Sequence, residues 1–359
     1  MNIIRRYVLK HFVRYWVICL GISIFIYIVI NLFDNLGKFL ARNASALDIM
    51  IYYLYLIPSY TILLVPVASM IAVFLVFGIM AKNRELLVLK TSGFSISTLF
   101  YLFMMTSVVI AIGTFAFQET VGVWAQAQLI EHEQVRIKRR PIRQTSWRRN
   151  FFYYGENNWI YYVRKFDGRI NTMDNVILWQ TTPDNKIRQR IDAHRGTYDS
   201  IWVFEQATVR QFDTLDQEIV TKHFMLKMPE LKEKPHDLLK KIKPVEEMNF
   251  LEIAAFVNKR QRAGQDVVTE EVELNYRFSY PIITVILLLI TLPISVVLRR
   301  GGIAIGLGIS IGLSFTYWGV IQSSRAYGVA GVLNPVLAAW LPNIIFGLLG
   351  VILILKAPR

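Results

Sequence analysis

The sequence has little of what an enzyme uses. Its single cysteine, Cys19, allows neither a disulfide framework nor a cysteine-based metal site. His132 and Glu133 begin a metalloprotease-like motif, but Arg136 stands where zinc would need a second histidine. Neither a nucleophile-elbow serine nor a G-x-x-x-x-G-K-[ST] loop occurs. The sequence therefore predicts a protein that is not an enzyme and has no metal or cofactor of its own.

Acidic residues are scarce at both ends of the chain. Residues 118–278 hold 26 Lys/Arg and 23 Asp/Glu, whereas the remainder holds 14 Lys/Arg against only Asp34, Asp48 and Glu85. A nucleic-acid-binding protein would carry its excess charge on a soluble domain. Here the excess flanks apolar segments, so the net charge of +14 indicates membrane topology and no nucleic-acid partner is predicted.

Long apolar segments fill both ends, and each is long enough to cross a bilayer. The predicted spans are residues 15–33, 57–81, 96–117, 279–298, 303–323 and 335–355. With both termini in the cytoplasm, eleven Lys/Arg lie inside and only three lie in the short outer loops, which fits the positive-inside rule. The spans carry almost no ionisable residue, whereas ion-driven carriers usually need one. This pattern predicts residues 118–278 outside the cytoplasm and an energy source outside the chain.

The polar middle of the chain is typical of β structure. Short runs rich in aromatic and β-branched residues are separated by glycine, proline and asparagine turns. They favour a sandwich or jelly roll inserted between the third and fourth spans. The predicted domains are an N-terminal membrane half (1–132), the β domain (133–262) and a C-terminal membrane half (263–359). We expect a helix over 118–139 before the strands and another over 249–264 after them.

A short segment at residues 82–95 separates the second and third spans and is predicted to form its own amphipathic helix. Asn83 is a candidate N-cap, Glu85 lies in the first turn, and Gly93 is placed to end the helix. The expected apolar face consists of Leu86, Leu87, Leu89 and Phe94. Such a helix at the cytoplasmic face either docks a partner or simply connects two spans.

The cations beside the first span and the small residues of the fifth span each allow a structural and a functional interpretation. Lys38 and Arg42 are spaced to share a helix face just beyond the first span, where they either snorkel or bind anionic headgroups together with Arg325. The fifth span carries small residues at close spacing, among them Gly306, Gly308 and Gly312. They predict close helix packing, either within the chain or against a second subunit.

Several stretches together carry a resemblance to a known family. They are Arg6 to Lys10, Pro66-Val67-Ala68, Glu85 to Ser95, Leu292 to Ser295, and Arg299 to Gly302 with the glycine-rich span that follows. In these stretches and in its three-plus-three arrangement of spans, the chain resembles the LptF/LptG permease family. Members of that family are the transmembrane subunits of the bacterial lipopolysaccharide exporter. Residues 33–38 are more similar to the LptG branch.

The resemblance implies a role for each pattern. The 82–95 segment would be a coupling helix seated on a cytoplasmic ABC ATPase dimer, which would bind ATP and Mg²⁺. The residues implied in this contact are Arg84, Glu85, Leu86, Leu89, Gly93 and Phe94. The cations Lys38, Arg42 and Arg325 would meet the phosphates of lipopolysaccharide. The first and fifth spans would form lateral gates against a paralogous LptF-type permease.

The remaining implications concern location and onward transfer. The chain would lie in the bacterial inner membrane, and its β domain would pass lipid to LptC-type and LptA-type jelly-roll proteins in the periplasm. Two other classes stay open on the residues alone. One is a permease of this architecture for another lipid or a lipoprotein, and the other is a membrane scaffold with a β domain and no transport function.

Overall fold

The computed structural model of the chain divides into two compact units. The first unit comprises Met1–Arg139, Val245–Phe250 and Val268–Arg359, and the second comprises Arg140–Pro244 and Leu251–Val267. The residues that the structure describes are 2–92, 95–138, 147–155, 157–182, 186–212, 218–239, 243–262, 265–297 and 302–356. The division follows the predicted alternation of apolar ends and a polar middle.

Ten α-helices are present in the described residues. They are α1 (Asn2–Ala41), α2 (Ala46–Lys82), α3 (Glu85–Thr91), α4 (Ile96–Phe117), α5 (Val123–His132), α6 (Pro235–Leu239), α7 (Phe250–Arg262), α8 (Val268–Val297), α9 (Gly302–Val329) and α10 (Pro335–Lys356). Six of the helical segments are long and apolar enough to cross a membrane, which confirms the six predicted spans. Most of these helices extend beyond the predicted spans because apolarity marks only the part that lies in lipid, whereas helix ends depend on caps.

The start of α2 shows this difference between a span and a helix. The predicted span begins at residue 57, but α2 begins at Ala46 because Ser45 caps it. The backbone N–H of Asp48 donates to Ser45 Oγ over 3.1 Å. The same hydroxyl donates to the Asp48 carboxylate over 2.7 Å, which places a negative charge in the first turn of the helix.

Helices α2 and α8 hold the centre of the membrane unit. Ala72, Phe77 and Leu288 are fully buried in clusters that also take in residues of α1 and α4. By contrast, few residues are buried along the apolar stretches of α1 and α9, where most are exposed or half-buried. The two helices at the centre therefore form the packed core, while α1 and α9 present apolar faces that no other described residues cover.

The third span continues as a helix beyond its apolar part, as predicted. Two π-helical turns, Gln118–Gly122 and Glu133–Ile137, flank α5 and lengthen the helix to Ile137. The predicted helix after the strands is also present as α7, which begins directly after Asn249. Its predicted stop at Gly264 lies outside the described residues. π-turns are uncommon and often mark functional positions, and Glu119 lies in the first of them.

The second unit is built on one antiparallel sheet of six strands. They are β1 (Trp147–Tyr154), β2 (Trp159–Asp167), β3 (Thr172–Thr181), β4 (Ile187–Asp199), β5 (Ile201–Phe212) and β6 (Glu218–Met228). Neighbouring strands in the sheet follow chain order, and β1 and β6 are the edges. The inserted β domain is thus confirmed as an open meander, while the two-sheet connectivity of a jelly roll is not seen among these strands and stays a prediction.

One face of the sheet carries a dense aromatic core. Trp159, Tyr161 and Trp202 are almost fully buried in it. The Tyr161 hydroxyl donates to the Glu233 carboxylate over 2.6 Å, and Trp202 Nε1 donates to the Glu233 backbone carbonyl over 2.8 Å. Burial and the Glu233 carboxylate raise the pKa of the Tyr161 hydroxyl well above its usual value. It therefore remains a neutral donor that satisfies a buried carboxylate.

Candidate functional site

The membrane unit contains an apolar cavity of about 390 Å³ bordered by α1, α2, α8 and α9. Its lining residues are Tyr27, Leu63, Leu64, Pro66, Val67, Tyr280, Ile283, Leu287, Ile311, Ser314, Phe315, Tyr317, Trp318 and Ile321. The lining is aliphatic and aromatic with few polar atoms, so it suits hydrocarbon chains.

A second cavity of about 400 Å³ adjoins the first, and its wall mixes apolar side chains with charged and amide side chains. We call it the polar cavity because the first has no charged residue in its wall. The two share Leu63, Tyr280 and Trp318 in their walls. The remaining lining of the second cavity is Ser59, Ile62, Gln118, Gly122, Val123, Gln126, Glu246, Glu273, Tyr276, Arg277, Gln322 and Arg325. The two cavities thus place an apolar lining next to charged side chains, a combination that suits an amphiphilic molecule.

A buried ion pair lies beside the polar cavity. The Arg277 guanidinium donates to Glu119 Oε1 over 3.0 Å, and the two side chains are only 6% and 11% exposed. The backbone N–H of Phe250 also donates to Glu119, over 2.6 Å, and Arg277 donates to the Val245 carbonyl over 3.3 Å. These bonds tie residues 245–250 to the third span and to α8. Sequence reasoning missed the pair because 158 residues separate its members and no local pattern links them.

Arg325, one of the predicted phosphate contacts, borders the polar cavity. Its guanidinium is 2.5 Å from Glu273 Oε2 and lies 5.2 Å from the centre of the Tyr276 ring. The Arg325 side chain is 39% exposed and the Glu273 side chain 20% exposed. Arg325 is thus placed at a polar chamber as a headgroup contact requires, but it already has a carboxylate partner that the sequence did not reveal.

Lys38 and Arg42 lie at the end of α1 and are both exposed. Lys38 Nζ donates to Asn35 Oδ1 over 2.8 Å. Because α1 ends at Ala41 and Asn43 has a left-handed φ of 48°, Arg42 lies beyond the helix. The prediction that Lys38 and Arg42 share a helix face was therefore wrong, because Arg42 is not part of the helix.

The candidate docking helix, α3, is shorter than the predicted segment and starts differently. The prediction that Asn83 caps it was wrong, because Asn83 is the C-cap of α2. Arg84 occupies the start of α3 in a left-handed conformation, with φ 61°, and its carbonyl accepts from the N–H groups of Leu87 and Val88. Helix α2 ends at Lys82 and α3 begins at Glu85, so only two residues connect them, and one of these takes the left-handed conformation.

The two sides of α3 differ in what they contact. Leu86 is 6% exposed and packs with Val8 and Phe12 of α1, so it seats the helix on the chain itself. Leu87 and Val88 are 57% and 63% exposed. Leu89 packs partly against the cluster of Leu86, and the predicted Gly93 and Phe94 lie outside the described residues. The outward apolar surface of α3 is thus Leu87 with Val88.

Glu85 lies at the start of α3 and is linked to α1. Its carboxylate accepts from the Asn83 side-chain amide over 3.1 Å and from the Tyr7 hydroxyl over 3.3 Å. Tyr7 stacks edge-on against His11, one turn further along α1. The candidate docking helix is therefore joined to α1 by a polar contact as well as by the packing of Leu86.

The three glycines predicted to line the fifth span do not share one environment. A side chain at Gly306 would meet Phe74 of α2 at 3.0 Å, so this glycine allows two helices of the same chain to pack closely. Nothing lies within 4 Å of a side chain placed at Gly308 or Gly312. Gly306 thus serves packing within the chain. Gly308 and Gly312 form a strip of α9 without large side chains, which no described residue contacts.

These features define a multi-pass membrane permease with two adjoining cavities and an inserted β domain. The model of the family described as lipopolysaccharide export system permease LptF/LptG matches residues 6–356. The chain belongs to this family and is a lipopolysaccharide-export permease subunit of the inner membrane. The family model covers LptF and LptG together, so it does not decide between them. No curated protein matches the chain.

Proposed function

We propose that this chain extracts lipopolysaccharide from the inner membrane through the two adjoining cavities. The observation that carries the proposal is that an apolar and a polar chamber share Leu63, Tyr280 and Trp318. Acyl chains would enter the apolar chamber from the side between α1 and α9. Phosphate groups would meet Arg325 in the polar chamber and Lys38 with Arg42 at the end of α1, because guanidinium and ammonium groups pair well with phosphate oxygens.

Removing such a lipid from the bilayer needs an external source of energy. Each CH₂ moved out of hydrocarbon costs about 0.8 kcal/mol, and the substrate has several acyl chains. We infer that a cytoplasmic ABC ATPase dimer, which binds ATP and Mg²⁺, supplies it through α3. The exposed Leu87 and Val88 beside Glu85 offer the apolar patch and charged tip that a docking groove would take. The N- and C-termini would then also be cytoplasmic.

A paralogous LptF-type permease would complete the cavity. The apolar faces of α1 and α9 are uncovered in this chain, and the strip at Gly308 and Gly312 allows another helix to approach closely. Movement of these two helices against the second permease would open and close the lateral entrance.

The β domain would carry the lipid onward in the periplasm. Its edge strand β6 exposes Ile219, Val220, Phe224 and Met225, and no described strand pairs with its outer side. Exposed strand edges commonly accept a further strand from another chain. LptC-type and LptA-type proteins are the proposed partners, and residues 118–278 would be largely periplasmic.

A photo-crosslinking amino acid in place of Trp318 tests the substrate. Within the complete exporter in cells, it should capture lipopolysaccharide because residue 318 borders both chambers. The matched control is the same amino acid at Val109, which is 68% exposed on α4 and borders neither chamber. Equal capture at both positions would contradict the cavity assignment, and capture of another lipid at position 318 would replace the substrate.

Charge reversal at α3 tests the energy source. Glu85→Lys removes both acceptor bonds of this carboxylate and reverses its charge, so the ATPase should co-purify poorly and lipid release should fall. If ATPase recovery and release both matched the unaltered exporter, α3 would not be the coupling element.

A further inference from the structure

The charges around the polar cavity do not attract anions in the arrangement seen. Two arginines, Arg277 and Arg325, border it, and each has a carboxylate partner, Glu119 and Glu273 respectively. Glu246 adds a further carboxylate to the wall. A phosphate group that enters this chamber meets two neutralised cations and one acid. It binds a guanidinium without competition from a carboxylate only if one of the two ion pairs opens.

The two pairs differ greatly in how easily they open. Glu119 and Arg277 are about nine-tenths buried, and both make further bonds to the backbone at Phe250 and Val245. Separating such a pair leaves two buried charges without compensation, which is strongly unfavourable. Glu273 and Arg325 are partly exposed, so water can solvate both ions when the pair separates. The pair that can open is therefore the one at Arg325.

Arg325 has a second contact that would keep it in place after its carboxylate leaves. Its guanidinium lies 5.2 Å from the centre of the Tyr276 ring, within the range of a cation–π interaction. The planar guanidinium can then give two parallel N–H donors to phosphate oxygens, as it does to carboxylates. Tyr276 thus holds the cation while its anionic partner changes.

We propose that Glu273 is an internal counter-ion which the phosphate of the lipid displaces from Arg325 on loading, and which returns to Arg325 on release. Glu273 is then a release-determining residue and does not itself bind the substrate. No bond forms or breaks, and one anion replaces another on the same cation. This inference rests on the proposed function, since it takes the lipid headgroup to the polar chamber.

The test is Glu273→Gln in the complete exporter, because glutamine keeps the shape of the side chain and removes its charge. Freed of its competitor, Arg325 should hold phosphate longer. We expect several-fold more lipopolysaccharide to co-purify and slower ATP-driven release to the periplasmic acceptor. The gain should disappear with a lipopolysaccharide that lacks phosphate groups on its lipid A. Glu271→Gln, on the same helix but not bordering the cavity, should change neither quantity.

The outcomes separate this inference from the proposed function. If Arg325→Gln lowers lipid retention but Glu273→Gln leaves it unchanged or reduces it, the counter-ion role is wrong and the cavity assignment stands. If neither variant changes retention and the crosslinker at position 318 captures no lipopolysaccharide, the proposed function itself fails. Should Glu273→Gln not fold, Glu273→Asp takes its place, because the shorter carboxylate reaches Arg325 less well and should raise retention in the same direction.

Discussion

Helices α8 and α9 follow each other in the chain and are both apolar, yet they serve opposite purposes. In the most apolar stretch of α8, 67% of the residues are buried within the protein, whereas in that of α9 only 22% are. In a membrane, apolarity does not decide burial, because lipid is as apolar as a protein core. What separates the two helices is packing: α8 lies in the core of the membrane unit, whereas most of α9 is not buried by the described residues. Pairs of matched substitutions, one at a packed position and one at an exposed position, test this contrast.

The largest effect is expected at the buried ion pair of α8. Arg277→Met leaves the Glu119 carboxylate buried without its cation, which should lower the free energy of unfolding by about 3–5 kcal/mol. Arg325→Met, at the partly exposed pair, should cost only about 0–1 kcal/mol. Thermal unfolding of the purified permease in detergent measures both. Equal losses would mean that burial does not distinguish the two pairs.

A smaller loss is expected within the docking helix. Leu86→Ala removes a buried side chain from its cluster with Val8 and Phe12, at a cost of about 2 kcal/mol or more. Leu87→Ala changes an exposed position and should alter stability by less than about 0.5 kcal/mol. Its effect should instead be a loss of ATPase recovery. If Leu87→Ala destabilised the chain as much as Leu86→Ala, the two sides of α3 would not have separate roles.

The glycines of α9 provide the next contrast. Gly306→Leu forces a side chain against Phe74 and should cost about 1–3 kcal/mol. Gly312→Leu meets open space in this chain, so the isolated subunit should unfold as before while recovery of the second permease falls. Unfolding of the single chain and co-purification of the pair separate the effects. Unchanged pairing in Gly312→Leu would argue against an interface on this strip.

The smallest effect on stability is expected at the end of α1. Lys38→Gln changes an exposed side chain whose only described bond is to Asn35, so stability should stay within about 0.5 kcal/mol. Lipid capture by a crosslinker at the neighbouring exposed Leu40 should fall, because a cation for phosphate has been removed. Lys10→Gln, at the other end of the same helix, is the control and should leave capture unchanged.

The sequence predicted the parts of this fold that depend on local pattern. Six apolar runs became six membrane-length helices, and the alternating runs in the middle became a sheet. Family membership was predictable for the same reason, because short motifs carry it. Helix ends were less predictable, since a single hydroxyl at Ser45 extends α2 well beyond its apolar run.

The candidate site was only partly predictable, because it depends on contacts between distant residues. Arg325 was identified as a candidate, but its partner Glu273 is 52 residues away on another helix. The glycines of α9 were predicted as one set, although only the packed structure shows that Gly306 faces α2 and Gly312 does not. Asn83 was misassigned because its side chain suits both the end of one helix and the start of the next.

The joint between α3 and α1 has a thermodynamic consequence. Leu86 shares a cluster with Val8 and Phe12, and Glu85 accepts from Tyr7, so α3 cannot shift without acting on α1. If the ATPase binds α3 and lipid binds beside α1, the two binding equilibria are linked, and linkage is reciprocal. By whatever factor the ATPase changes the affinity for lipid, lipid must change the affinity for the ATPase. Lipid bound in the cavity would thus change the affinity for the ATPase at the cytoplasmic face without a separate sensor domain.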